Sequence, residues 1–423
     1  MILRHFVFLP LVAALTAGLV TGPATAPADA ARADAAPSTV SVAPVLCDYV
    51  PETGLDRRFG GFYTNFWTDG IVPYVFEEGS TAVVRADTLT DVSFTIPFDG
   101  PRLTSPTGFP RFFEVGEVLR VDGSQKNDNR DLIIVERLST GTSGVTDVLR
   151  VELLPGFTFS AEQPDGTPVI FFTTETVSEL NQQRFVDATQ EWEAVANVQF
   201  VPWTGQTNYV RVKNFTRNRV DGAGMANGEN VLFMDAWWSR RTLVHELGHE
   251  LGAKHEHQRP DRDDYVTVNL ENVQPGREGN FTIDETMDVY PPTVYDFASI
   301  MHYFDTAFLD PDSTGVTIQV DPPFTAEWQN VIGTLNDLSF WDRKTMSFMY
   351  PESNWRFLDR SSSASTEDGG FRTPYQIFQD AYNGVPSGGR IIGSVPGSYQ
   401  APGVYDKRVT IEAPLGGVVI RGN

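Results

Sequence analysis

His245-Glu246-Leu247-Gly248-His249-Glu250-Leu251-Gly252-Ala253-Lys254-His255 is the stretch on which the reading of this chain turns. On an α-helix, residues i and i+4 lie about 40° apart around the axis and roughly 6 Å along it, so His245 and His249 project from one face. Two imidazoles so placed chelate one Zn2+ without bending the helix. Glu246 sits one residue on, close to the metal and aimed past it at a bound water, where a general base belongs. Gly252 tolerates a positive φ, which turns the chain so that His255 returns as a third ligand. Three neutral imidazoles leave the ion its double charge, and that charge lowers the pKa of a bound water to about 7. Five of the six histidines fall between His245 and His302, which argues against incidental use. Gly248 adds to this, because a mid-helix glycine costs about 0.5–1 kcal/mol relative to alanine and asks for a packing or functional reason.

The residues that follow narrow the reading. His255-Glu256-His257-Gln258-Arg259-Pro260-Asp261-Arg262-Asp263-Asp264-Tyr265-Val266 continues the motif, and Ser299-Ile300-Met301-His302-Tyr303 stands further on. Together they closely resemble the astacin family of metzincin zinc endopeptidases. The resemblance runs from about Thr176 to Tyr350 and includes Leu338-Ser339-Phe340-Trp341-Asp342, similar to the family's closing helix. Upstream, Trp67-Thr68-Asp69-Gly70-Ile71-Val72-Pro73-Tyr74 is similar to its first strand.

The resemblance implies an α+β, two-subdomain metzincin protease fold and one Zn2+ per chain. It implies that Met301 packs beneath the metal and that Tyr303 is a displaceable fourth protein ligand, which then donates to the developing oxyanion. Glu256 has two readings: an anchor for the new N-terminus made by propeptide removal, or an ion pair with Arg259 or Arg262. The expected reaction is peptide-bond hydrolysis by zinc-bound water that Glu246 deprotonates, on a protein or peptide substrate extended along an edge strand near Tyr209–Val212. A metzincin outside this family, and a non-enzymatic zinc-binding adhesion protein, are the alternatives.

Two departures stand out. In most family members the first strand leads almost directly to the first helix, whereas here about 90 residues intervene. Those residues carry short apolar runs divided by turn residues (VSFTIPF, EVLRV, LIIVERL, DVLRVELL, PVIFF) and predict a small antiparallel β unit over about 77–173. It reads as an insertion, unless Pro168–Phe172 supplies the first strand instead. The chain also has one cysteine, Cys47, so no intramolecular disulfide can form. Animal members usually carry disulfides, and the lack points to a bacterial-type member.

Periodicity places a helix from about Thr176 and strands at Val198–Trp203, Tyr209–Lys213 and Asn230–Met234, with Ser239 capping the helix that carries His245. Residues 1–30 have a positive start, an apolar run too short to span a bilayer and small-residue A-x-A sites, which together form a secretory signal. Residues 31–58 read as a propeptide-like segment ending at Arg57-Arg58, a maturation site for an activating protease. In that segment Cys47 is a thiol that could hold the zinc latent, the alternatives being an idle thiol or Asp48 as the switch. The protease domain is expected over 59–352, and 353–423 is expected to be a linker followed by a β-helix-like segment. One coil cannot bury its own face, so that segment either docks on the protease or belongs to a longer solenoid. With 55 Asp+Glu against 32 Lys+Arg, the net charge is −23. Such a surface repels phosphate backbones and anionic membranes, so nucleic-acid and membrane partners are not expected, and an extracellular location is.

Overall fold

The computed structural model describes residues 65–422, apart from 110–112, 129, 139–145, 154–157, 288 and 291–293. The fold is α+β. Its first strand, β1 (Ile71–Phe76), leads into seven short strands: β2 (Val83–Leu89), β3 (Ser93–Thr95), β4 (Arg102–Ser105), β5 (Val118–Asp122), β6 (Arg130–Arg137), β7 (Asp147–Leu153) and β8 (Val169–Thr174). Next come α1 (Glu179–Glu193), β9 (Gln199–Pro202), β10 (Tyr209–Asn214), β11 (Arg219–Val220), β12 (Glu229–Met234) and α2 (Arg240–Glu250).

β1 does not pair with the strands that follow it. It runs parallel to both β9 and β10 in a five-stranded sheet of order β11-β12-β10-β1-β9, in which β11 alone is antiparallel. Strands β2 to β8 form a separate antiparallel sheet of order β2-β8-β5-β6-β7-β4-β3. Pro168–Phe172 therefore feeds this second sheet, where β8 pairs with β2 and β5, and does not supply the strand beside β10.

Each sheet has its own core, and alternation builds both. In β10, Val210, Val212 and Asn214 point inward while Arg211 and Lys213 alternate outward. Inward residues of β1, β10 and β12 meet Phe185, Ala188 and Trp192 of α1 and Leu243, Val244 and Leu247 of α2. The seven-stranded sheet buries Phe94, Leu103, Leu119, Val121, Ile134 and Phe171 among themselves. What joins the two units is polar. Ser178 Oγ donates to the Gly116 carbonyl at 2.5 Å, Arg184 donates to the Val115 carbonyl at 2.8 Å, and Asn214 Nδ2 donates to buried Glu117 at 3.1 Å.

Helix α1 begins three residues after Thr176, because Ser178 accepts from the Asn181 amide and caps it. Ser239 caps α2 in the same way, accepting from Thr242 N at 3.2 Å. From Thr242 to Glu250 every residue of α2 is buried, so this helix is held by packing on all sides.

Beyond α2 lie β13 (Val266–Val268), β14 (Ile318–Val320), the short α3 (Thr325–Trp328) and α4 (Phe340–Met349). An aromatic cluster with Phe297, Phe304, Phe308 and Tyr295 fills this half. The chain continues through β15 (Trp355–Leu358), α5 (Phe378–Gly384), β16 (Arg390–Gly393), β17 (Gly397–Gln400), β18 (Thr410–Glu412) and β19 (Val418–Arg421). These form two parallel stacks, β15-β16-β18 and β17-β19. The coil docks on α4: Phe348 is fully buried against Phe357 and Ile392, and Lys344 pairs with Glu412.

Candidate metal centre

Helix α2 presents His245 and His249 one turn apart, as i, i+4 spacing requires. At its end Gly252 takes φ 101°, and its amide and that of Ala253 still donate to His249 and Gly248 carbonyls at 2.9 Å. This left-handed turn sends the chain back, and His255 closes on the other two. The Nε2 atom of His255 lies 3.2 Å from that of His245 and 3.3 Å from that of His249. Nitrogens bound at about 2.0–2.1 Å to a tetrahedral ion stand about 3.3–3.4 Å apart, so the spacing fits zinc.

The outer nitrogens strengthen the fit. His245 Nδ1 lies 2.8 Å from the Ile300 carbonyl, His249 Nδ1 2.7 Å from the Ala253 carbonyl, and His255 Nδ1 3.2 Å from Gln258 Oε1. All three partners are acceptors, so each Nδ1 carries the proton and each Nε2 turns a lone pair inward. Burial holds the imidazoles neutral, helped by the Lys254 charge at His249, which is pushed down to about 4, and by neighbouring histidines at the other two, which lie well below the ordinary range. Three converging lone pairs in a buried site repel one another unless a cation lies between them. Among the described residues these three histidines are the one group of this kind.

Glu246 is fully buried on the same helix. Met301 accounts for Gly248: a Cβ on that glycine would stand 2.8 Å from Met301 Sδ and 3.2 Å from Trp192 Cζ2. Tyr303 is buried too, its ring centroid 4.5 Å from that of His255. Glu256 accepts from Arg259 at 2.6 Å and from the Asp296 amide at 2.8 Å, so of its two readings the ion pair with Arg259 is the one present among the described residues. Cys47, Asp48, Arg57 and Arg58 lie outside the described residues.

One expectation is corrected. Tyr209–Val212 cannot receive an extended peptide, because β10 is hydrogen-bonded to β1 on one side and β12 on the other. The edges of that sheet are β9 and β11, and β11 is the one that packs beside α2.

Sequence reasoning also passed over the residues that hold the ligands in place. Asp342, at the start of α4, accepts from Ser299 Oγ at 2.7 Å and from the amides of Ile300 and Ser339 at 2.8 and 2.9 Å. Arg241 donates to the carbonyls of Ile300 and His302 at 3.0 and 3.2 Å. The Ile300 carbonyl that orients His245 is therefore fixed from α2 and, through its own residue's amide, from α4. A signal for Asp342 was present: Ser339-x-x-Asp342 forms a capping box. Its grip on a loop 42 residues away left none.

A helix-borne pair of histidines, a third from the following turn and a buried glutamate define a zinc-peptidase type of centre. Comparison with known proteins agrees. Residues 160–351 match the peptidase family described as Astacin. Mouse Meprin A subunit beta is 29% identical over 192 residues, covering 44% of this chain and 27% of that protein. Zinc metalloproteinase nas-12 of Caenorhabditis elegans is 34% identical over 167 residues, covering 35% of this chain and 42% of that protein. The chain thus spans less than half the length of either relative. Among solved structures, High choriolytic enzyme 1, a hatching enzyme zinc-protease from Oryzias latipes, is 29% identical and covers 40% of this chain and 82% of that chain, with a TM-score of 0.36. Residues 160–351 belong to the astacin family of zinc metallopeptidases. The matched range starts inside the seven-stranded sheet and omits β1, although β1 is the strand that runs beside β9 and β10.

Proposed function

We propose that this chain is a secreted zinc-dependent endopeptidase in which His245, His249 and His255 hold the metal and Glu246 is the general base. The observation that carries the reading is the convergence of three inward Nε2 lone pairs, with a buried glutamate on the same helix. Zinc bound there supplies Lewis-acid activation of water and of the scissile carbonyl. Glu246 takes a proton from the attacking water and returns it to the leaving amine. Tyr303 would join the three histidines in holding the metal, and its phenol would supply a hydrogen-bond donor for the oxyanion. Substrate backbone pairs with the free edge of β11, which the position of that strand beside α2 supports.

Residues 77–173 act as an inserted module within a protease domain spanning 59–352. Secretion rests on the signal-like residues 1–30, and latency on Cys47 or Asp48 within 31–58. Removal of that segment after Arg58 by another protease would free an N-terminus for the acidic cavity beside Glu256. That cavity, of about 50 Å3, is lined by Glu256, Asp296 and Asp342 and by one cation, Lys254, whose charge is already paired with Asp284; burial and the neighbouring carboxylates raise the Asp296 carboxyl to about 8. Such a pocket favours a cation, which supports the anchoring role for Glu256 alongside its ion pair with Arg259.

Glu246→Gln tests the assignment. The variant is expected to keep one zinc per chain and to cleave peptides about 10²–10⁴-fold more slowly. Cleavage at the parent rate with zinc still bound would overturn the role of Glu246. Chelation should abolish activity in the parent, and zinc, not magnesium, should restore it, because three imidazoles suit the softer ion.

A further inference from the structure

Tyr303 does not sit in generic core. Its ring is enclosed by four others. His257 stacks on it with centroids 4.1 Å apart and planes at 28°. His255 stands 4.5 Å away at 60°, Phe308 5.8 Å away at 58°, and Phe281 5.9 Å away edge-on at 82°. Of these, His257 alone lies nearly parallel to the phenol.

The stacked imidazole is itself held from several directions. His257 is fully buried, and its Nε2 donates to the Asn280 carbonyl at 3.0 Å. Arg262 donates to the His257 carbonyl at 2.9 Å and also to that of Phe281, tying the turn that carries the shelf to the turn that carries the edge-on ring. On another side, Phe308 adopts φ 50°, a left-handed conformation that a bulky side chain avoids. The Arg277 guanidinium lies over the Phe308 ring at 5.3 Å. Backbone strain of this kind persists only where the surroundings over-determine it, and it gathers at functional sites.

The chemistry of His257 is also unlike that of a core residue. Its Nδ1 finds no partner among the described residues. A buried acceptor left so is unfavourable, and phenylalanine would fill the same slot without that penalty. What the imidazole adds over a phenyl ring is the Nε2 hydrogen bond to the Asn280 carbonyl, which fixes the rotation of the ring plane.

We infer that His257 is a positioning residue for Tyr303: its imidazole is the shelf that fixes the plane of the phenol beside the three-histidine cluster. This rests on the reading of Tyr303 as a ligand and oxyanion donor given above. A phenol that must leave the metal and then meet an oxyanion needs a restricted path, since a misplacement of about 1 Å can cost about 10²-fold in rate. A flat, immobile ring against one face supplies that restriction, leaving motion within the plane.

The test uses the full chain with His257→Phe, His257→Leu and Tyr303→Phe. The first readout is copper-substituted protein, in which a phenolate ligand gives a visible charge-transfer band that a structural change elsewhere would not move. His257→Phe keeps a flat ring and is expected to keep the band and a kcat within about threefold of the parent. His257→Leu keeps apolar bulk without the plane. It is expected to bind one metal with an unchanged KM, to lose at least half the band and to lower kcat about tenfold or more. A full band and parent kcat in His257→Leu would overturn the shelf. A second readout needs no variant of His257 and no metal. In metal-free parent protein with ring-labelled tyrosine, Tyr303, assigned by its loss in Tyr303→Phe, should show two separate ε-proton signals from slow ring flips. One averaged sharp signal would overturn the proposal even if both His257 variants failed to fold. If Tyr303→Phe itself keeps the band and kcat, the ligand role of Tyr303 falls, while the ring-flip result still judges the shelf.

Discussion

Gly248 shows how much a single position in this site carries. Alanine there would gain helix propensity of about 0.5–1 kcal/mol. Its Cβ, however, would press Met301 Sδ at 2.8 Å and Trp192 Cζ2 at 3.2 Å. Overpacking of a filled core typically costs about 1–3 kcal/mol, so the steric effect wins. Gly248→Ala is expected to lower stability by about 1–2 kcal/mol in urea titration and to weaken zinc retention, because Met301 lies in the loop that orients His245. A variant more stable than the parent would show that the contact relaxes freely. The motif announced that Gly248 needed a reason. Only the packing of Met301 beneath the helix revealed what the reason was.

At the scale of elements, the metal helix is fixed by its neighbours as much as by its own sequence. α2 is buried along its length, and α4 reaches back through Asp342 to hold Ser299 and Ile300. The carboxylate caps its own helix and sets the carbonyl opposite His245 Nδ1 at once. Asp342→Ala should therefore lose both functions, with stability falling by roughly 2–4 kcal/mol. Zinc affinity should fall about 10–100-fold, the usual penalty for removing a partner behind a ligand. Competition with a fluorescent chelator measures the second effect. An unchanged affinity would mean that Arg241 alone holds the loop. The two-residue β11 was missed for a related reason. Arg219 and Val220 make no periodic pattern, so a pairing with β12 leaves no mark on the chain.

At the scale of the molecule, the seven-stranded unit and the protease sheet meet at a buried carboxyl. Glu117 accepts from Asn214, and Arg85, Asp235 and Glu114 act on it electrostatically. Burial, the largest influence, raises its pKa from an ordinary 4.5 to about 8. A raised acid is protonated in the folded chain while the unfolded chain has already released its proton. Its contribution is therefore most favourable below about pH 4.5 and is lost as the pH climbs to about 8, by up to about 1.4 kcal/mol per unit. Glu117→Gln should remove that slope. In zinc-saturated protein the variant is expected to match the parent at pH 5 and to exceed it by a few kcal/mol at pH 8. Parallel profiles across that range would contradict the assignment. The other junction is apolar. Phe357 of the terminal coil is fully buried and 5.1 Å from Phe348 of α4. Phe357→Ala should cost about 3–5 kcal/mol, and calorimetry should show one shifted transition where coil and protease unfold together. A separate early transition, with the rest unmoved, would mean the coil only rests on the surface.

Local chemistry is what the sequence determined by itself. The three histidines, the glutamate and the glycine turn lie within eleven consecutive residues, where helix geometry leaves little freedom, and residues 256–266 and 299–303 carry the further likeness to the astacin family. The β-rich run between Glu77 and Thr173 was equally legible, because alternation is a short-range signal. Whatever depended on contacts between distant residues was decided by the tertiary structure. The choice of β1 over Pro168–Phe172 as the strand beside β10 is one case, since both are short β-branched runs and only packing separates them. The grip of Asp342 on the Ile300 loop, the interior position of Tyr209–Val212 and the stack of His257 on Tyr303 are others. Spacing along a helix can be read from sequence because the backbone repeats. Side chains brought together across loops obey no repeat, and only the folded chain shows which of them meet.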